Sequence, residues 1–352
     1  FTLIIFSYLY SMVNDLILAS GYMLTTCLLT LLFVKSFITI ANKFGFKSVP
    51  HVGGVRQDIV ITSGGIAFGY AYLIMVFICH YLQGLPQSIV ISLVLGSGVM
   101  MIVGFLDDIY SLSSITRLLV QFAFVAFLLW NFDANIFSFG SPVIMIPIYF
   151  FGLTWLINTF NFVDGADGLV STNSLIFSIT GGTFCFLDGN ISIALILWML
   201  AAVNISFLYF NWSPAKVFMG DSGSLMIGSI YAIIIVNTLS SDITAVWTWL
   251  ILLSIFYIET TVTLIVRIIR RENVFKSHHS LHAYQQIVIR TGRHNRPAIF
   301  SIIISIVWTI PMSILSYNFP YYGFYITLIT CIPLSLIFYL YGPKIAKEKP
   351  ID

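Results

Sequence analysis

Charge is what this sequence has least of: Asp, Glu, Lys and Arg make up 9% of its 352 residues, against roughly 25% in a soluble globular domain. That deficit, beside 59% hydrophobic residues, excludes a soluble fold and points to many membrane spans. Long stretches of strict apolar/polar alternation are also missing, while apolar runs reach about 20 residues, so the spans are helices and not barrel strands. A formal net charge of +2 gives too weak a basic field for a nucleic-acid partner. Cys27, Cys79, Cys185 and Cys331 each lie in an apolar run without Cys-x-x-Cys or Cys/His spacing, and read as unpaired thiols buried in lipid. No internal repeat and no linker is visible, so residues 1–352 form a single integral-membrane domain.

What is present is a series of apolar runs at 16–40, 64–83, 88–105, 115–130, 142–158, 170–187, 191–210, 223–239, 246–268, 298–316 and 321–341. They predict an all-α, polytopic bundle of about 10–11 transmembrane helices. The run Phe1–Val13 is too short to span, and is expected to be an interfacial piece or the tail of a signal-like segment. The chain opens on Phe, so its natural start is expected upstream.

Under this alternation all sixteen Lys and Arg fall on one side: Lys35, Lys43, Lys47, Arg56, Arg117, Lys216, the 267–296 connection and the tail. The opposite loops carry only Asp15, Asp133, Asp188 and Asp242. The positive-inside rule then predicts a periplasmic N-terminus and a cytoplasmic C-terminus. The polar clusters fall on the cationic face as well. A transporter would concentrate them near the midplane, in broken helices.

Four clusters carry the chemistry. In Asn158-Thr-Phe-Asn-Phe-Val-Asp-Gly-Ala-Asp-Gly168, two carboxamides and two carboxylates stand three residues apart, on one face if the preceding helix continues. Polar groups at the edge of a span are costly unless a metal ion or polar ligand engages them. Asp107-Asp108 closes the third span; one carboxylate can take a ligand while its neighbour orients it, and two negative charges so close raise one pKa. Phe218-Met-Gly-Asp-Ser-Gly-Ser224 sets Asp221 as a hard oxygen ligand in a glycine-flanked turn, with Phe218 offering a face for a base. The loop Ser277-His-His-Ser-Leu-His-Ala-Tyr-Gln285, followed by Arg290, Arg293, His294 and Arg296, suits diphosphate oxygens better than zinc, for which a third ligand is missing. Glu259, an acid within the ninth span, is a functional suspect by its depth alone.

Taken together, from Pro50…Gly64-Gly65 to the His/Arg loop, these motifs resemble the polyprenyl-phosphate N-acetylhexosamine-1-phosphate transferases, glycosyltransferase family 4. The His-x-x-x-His-Ala-Tyr-Gln loop looks most like the bacterial O-antigen initiators that use FucNAc, QuiNAc or GlcNAc, and differs from the triple-His loop of the peptidoglycan enzyme. The resemblance implies transfer of HexNAc-1-phosphate from UDP-HexNAc to undecaprenyl phosphate in the bacterial inner membrane. Mg²⁺ would be the cofactor, with Mn²⁺ as substitute, and the assembly a homodimer.

Residue by residue, the resemblance implies that Asp221 and Asn161 hold the metal, that Asp167 bonds the uracil edge and that Phe218 stacks on its face. Asn158 and Asp164 would serve the ribose-phosphate side, and Asp107 would face the lipid phosphate beside Asp108. His278, His282, Lys216, Arg293 and His294 would hold phosphate oxygens, with Glu259 nearby. Direct transfer and a covalent route through Asp107 or Asp164 both remain open. Two rivals fit less well. A CDP-alcohol phosphotransferase requires Asp-Gly-x-x-Ala-Arg where this chain reads Asp-Gly-Ala-Asp-Gly-Leu, and a lipid or sugar transporter would call for charge at depth or a repeat.

Overall fold

A computed structural model describes residues 2–45, 60–131, 141–240, 246–272, 281–344 and 346. Among them the chain is helical almost throughout. The elements are α1 (Thr2–Phe44), α2 (Gly64–Gln83), α3 (Gln87–Tyr110), α4 (Ser114–Asn131), α5 (Pro142–Val163), α6 (Leu169–Leu187) and α7 (Ile191–Asn211). After these come α8 (Gly220–Ser240), α9 (Val246–Leu252), α10 (Ser254–Ile269), α11 (Ala283–Thr291), α12 (Arg296–Asn318) and α13 (Pro320–Lys344). Ten of these helices are long and apolar enough to cross a membrane, or 11 with α9 and α10 taken as one span bent by 70°. The expected architecture is therefore present.

The boundaries differ in instructive ways. Residues 2–13 continue into α1 as one helix instead of forming a separate piece. The span expected at 142–158 runs on to Val163, so Asn158 and Asn161 do share a helix, whereas Asp164 is its cap and Asp167 lies beyond it. The expected common face for all four polar residues thus ends with the helix at Val163. The span expected at 223 begins at Gly220 and takes Asp221 into its first turn.

Helix α8 is the hub. Its sequence is apolar all round, which marks a helix surrounded by protein. Leu225, Met226, Ile227, Ile230, Ile233, Ile234 and Val236 are all buried. It packs on α2, α3 and α5, while α6 and α7 form a tight pair alongside. Two close approaches seat its N-terminus. A side chain at Gly65 would run into the backbone of Gly223, and one at Gly104 into the carbonyl of Asp221. Helix α1, by contrast, presents Ile17, Leu24, Leu28 and Leu32 outward at near-helical spacing, as a lipid-facing helix does.

The segment entering α2 ties down the loop before α8. Phe218 donates its N–H to the Ile61 carbonyl at 2.8 Å, and the carbonyls of Phe218 and Met219 accept from Gly64 (2.8 Å) and Gly65 (2.9 Å). The loop that leads into α8 and the entry to α2 are thereby fixed to one another.

Candidate active site

The polar residues stand at helix ends: the last turn of α3, the first of α4, the end of α5, the start of α8, the end of α10 and the start of α11. Contacts between them gather these ends into one region. Arg117, in the first turn of α4, binds Asp107 Oδ2 at 3.0 Å and Asp221 Oδ2 at 3.1 Å. A cation at a helix N-terminus opposes the helix dipole, and this bridge of two carboxylates is what offsets the cost. Asp107, nearly fully buried, also accepts the Leu112 N–H at 2.6 Å, which shapes the α3–α4 turn.

Asp108 turns the other way. Its carboxylate accepts the backbone N–H groups of Asp221 (2.9 Å) and Ser222 (3.4 Å), so it caps α8 from a neighbouring helix. Asn161 donates to Ser224 Oγ at 3.2 Å, joining α5 to the same turn of α8. Asp164 closes α5, and its carboxyl is held well above the usual carboxylate range. Burial is the main cause, followed by the negative charges of Asp108 and Asp167. Asp167 is 1% exposed and accepts the Ala215 N–H at 3.1 Å, pinning the loop that leads to Phe218.

Beside this acidic group opens a cavity of about 700 Å³ between α4, α5 and α10. Its lining joins polar Arg117, Asn161, Arg267, His282 and Gln285 to apolar Ile115, Leu118, Phe122, Phe151 and Trp155, with Phe151 about 15 Å along α5 from Asn161. Ile115 and Phe151 are also well exposed, so part of the apolar lining lies at the outer surface of the bundle. In the same lining, Asn158 exchanges hydrogen bonds with Gln121 at 2.5 and 3.3 Å. Glu259 is buried in α10 and holds His282 through Nδ1, at 2.8 and 3.0 Å from its two oxygens. The His282 ring lies stacked on Tyr284, whose hydroxyl donates to the Phe162 carbonyl at 3.1 Å. That hydroxyl is pushed above the usual phenol range by burial first, and then by the charges of Glu259 and Asp164. The acidic turn and the histidine are therefore neighbours.

Not every expected residue joins this group. His278 lies outside the described residues. Lys216 is exposed, with its ammonium 5.7 Å from the centre of the Tyr209 ring. Arg293 is exposed and His294 half-buried in the α11–α12 turn, and neither lines the cavity. Phe218 is half-buried beside the entry to α2.

Conversely, Arg117, Arg267, Gln121, Ser224 and Tyr284 belong to the site although motif spacing does not single them out. Arg117 carried a signal in its place at a helix start. Gln121 lies one turn further along the same face. Arg267 is buried, with Glu272 3.5 Å away, and a buried guanidinium needs a partner or a ligand.

The donor chemistry suits Mg²⁺. The acids near the start of α8 are hard oxygen ligands that outnumber the cations paired with them, and Mg²⁺ usually takes one or two carboxylates plus substrate phosphates. Among the described residues no three acidic, His or Cys side chains close around a common point. Arg117 instead bridges Asp107 and Asp221.

Sequence comparison adds the decisive observation. The family model described as Glycosyl transferase family 4 matches residues 90–239, the stretch from α3 to α8. Phospho-N-acetylmuramoyl-pentapeptide-transferase of Streptococcus pneumoniae serotype 19F (strain G54) is 31% identical over 261 residues, which cover 68% of this chain and 77% of that protein. This chain belongs to glycosyl transferase family 4. A probable undecaprenyl-phosphate N-acetylglucosaminyl 1-phosphate transferase of Bacillus subtilis (strain 168) is 24% identical over 335 residues, 92% of each protein. The family thus lies within the polyprenyl-phosphate N-acetylhexosamine-1-phosphate transferase superfamily, as the motif order implied. The matched stretch contains Asp107, Asp108, Asn158, Asn161, Asp164, Asp167 and Asp221, while Glu259 and His282 lie beyond it.

Proposed function

We propose that this family member transfers HexNAc-1-phosphate from a UDP-HexNAc to undecaprenyl phosphate, releasing UMP and forming undecaprenyl-diphospho-HexNAc. The observation that carries the reading is the cavity, which sets cationic groups beside apolar lining that is exposed at the outer surface of the bundle. A phosphate on a prenyl chain has this shape and polarity. Because the prenyl tail is already among lipid tails, the apolar wall adds little affinity. The headgroup contacts decide binding, at roughly 1.5–3 kcal/mol for each hydrogen bond to a charged group.

In the reaction, an oxygen of the lipid phosphate attacks the β-phosphorus of the sugar nucleotide, and the bond to the UMP oxygen breaks. The nucleophile is already an anion, so positioning and charge compensation matter more than a base. Arg117, Arg267 and His282 offset repulsion between the two phosphates. Asn161 and Asp221 would hold Mg²⁺, which when bound neutralises diphosphate oxygens and the developing charge on UMP. Asp108 keeps the start of α8 in place, and Asp167 holds the 211–219 loop that presents Phe218. The donor is a HexNAc nucleotide of the GlcNAc, FucNAc or QuiNAc type, and the product begins a cell-envelope polysaccharide such as an O-antigen. The cations around the polar ends support a site at the cytoplasmic face of the inner membrane.

The test is Asp221→Asn in purified protein given UDP-GlcNAc, undecaprenyl phosphate and Mg²⁺. UMP release should fall by about 100-fold or more with the unfolding temperature retained. Turnover close to wild type would refute the metal role.

A further inference from the structure

Glu259 is set apart by what its carboxylate touches. It is 3% exposed within α10, and its recorded partners are protein groups at the start of α11. One oxygen accepts the Ala283 N–H at 2.8 Å, and both approach Nδ1 of His282, at 3.0 and 2.8 Å. An ionised carboxylate only accepts, so Nδ1 donates in this pair, and the ring it holds lines the cavity. The backbone fixes the rest. The His282 N–H donates to Gln285 Oε1 at 3.2 Å, and the imidazole lies at 28° to the Tyr284 ring with centroids 5.4 Å apart.

We propose that Glu259 is a positioning residue of the transferase, acting on substrate only through His282, whose ring it holds against the cavity by the Nδ1 proton. This rests on the transferase reading given above. The resemblance counted Glu259 among residues around the substrate; the hydrogen bonds instead turn its carboxylate toward His282 and Ala283. A carboxylate that locks an imidazole in one tautomer is a recurrent device, because the second nitrogen then presents a defined donor or lone pair at no reorganisation cost.

A double-mutant cycle tests the claim. Glu259→Gln retains an oxygen for the Ala283 N–H but replaces the charged acceptor of the Nδ1 proton with a neutral amide that holds the ring less firmly. With UDP-GlcNAc and undecaprenyl phosphate as substrates, Glu259→Gln should lower kcat by about 10- to 100-fold, with KM for UDP-GlcNAc within about twofold. In a His282→Gln background the same change should cost no more than about twofold, since the group it acts through is gone. Equal losses in both backgrounds would overturn the proposal, because Glu259 would then touch substrate directly.

A second measurement needs no Glu259 variant. ¹⁵N-histidine spectra, with the His282 signals assigned by their loss in His282→Gln, should show a proton on Nδ1 in the wild-type protein. A bare Nδ1 would overturn the proposal. If wild-type protein released no UMP at all, the transferase reading would fail, while the tautomer measurement would still decide the dyad.

Discussion

Removing the Asp108 carboxylate should destabilise the protein as well as impair it. Asp108 supplies the acceptor for the Asp221 and Ser222 N–H groups at the start of α8, the helix on which the bundle is packed. Loss of an N-terminal cap costs about 0.5–2 kcal/mol, and loss of a negative charge at a helix N-terminus about 0.3–1 kcal/mol more. Asp108→Ala should therefore lose about 1–3 kcal/mol, which lowers the unfolding temperature by roughly 2–6 °C. Asp108→Asn keeps an acceptor oxygen and should lose only the smaller, charge-dependent part. Asp108→Ala also loosens the backbone at Asp221, and a misplacement of about 1 Å costs on the order of 100-fold in rate. The assay pairs thermal unfolding in detergent with UMP release. If Asp108→Ala unfolds at the wild-type temperature yet is inactive, the carboxylate serves substrate and the capping argument is wrong.

Gly104→Ala should cut UMP release about 100-fold and destabilise the fold, because the added methyl lands on the Asp221 carbonyl, whereas Gly152→Ala, which meets nothing within 4 Å, should leave both unchanged. Asp164→Asn should stabilise the protein increasingly as pH rises. The native carboxyl has a pKa raised above its unfolded value of about 3.9, so its ionisation draws stability down from that pH upward. The variant's advantage in unfolding temperature should be near zero at acidic pH and positive at pH 8; a flat or reversed difference would contradict the burial argument.

Much of this was legible in the chain because hydrophobic length and polar punctuation are local properties. The apolar runs locate the spans, and the acids stand out against so little charge. What spacing could not supply was the partner of each acid. Asp107 and Asp108 are adjacent in sequence, yet one meets Arg117 and the other the backbone of α8, because successive helical residues point about 100° apart. Asp164 and Asp167 look like a continuation of the Asn158/Asn161 face, but the helix ends between them. Glu259 and His282 are 23 residues apart, and only the return of the chain after α10 brings them together. Gln121 and Arg267 are visible as polar residues on helices, but the cavity that gives them meaning is a tertiary feature.

The most direct test supplies purified wild-type protein with Mg²⁺ and UDP-GlcNAc, UDP-QuiNAc or UDP-FucNAc, with and without undecaprenyl phosphate, and identifies the lipid product by mass. UMP should appear only when the lipid is present, in step with undecaprenyl-diphospho-HexNAc from at least one donor. UMP formed equally without the lipid, or no product from any donor, would contradict the account.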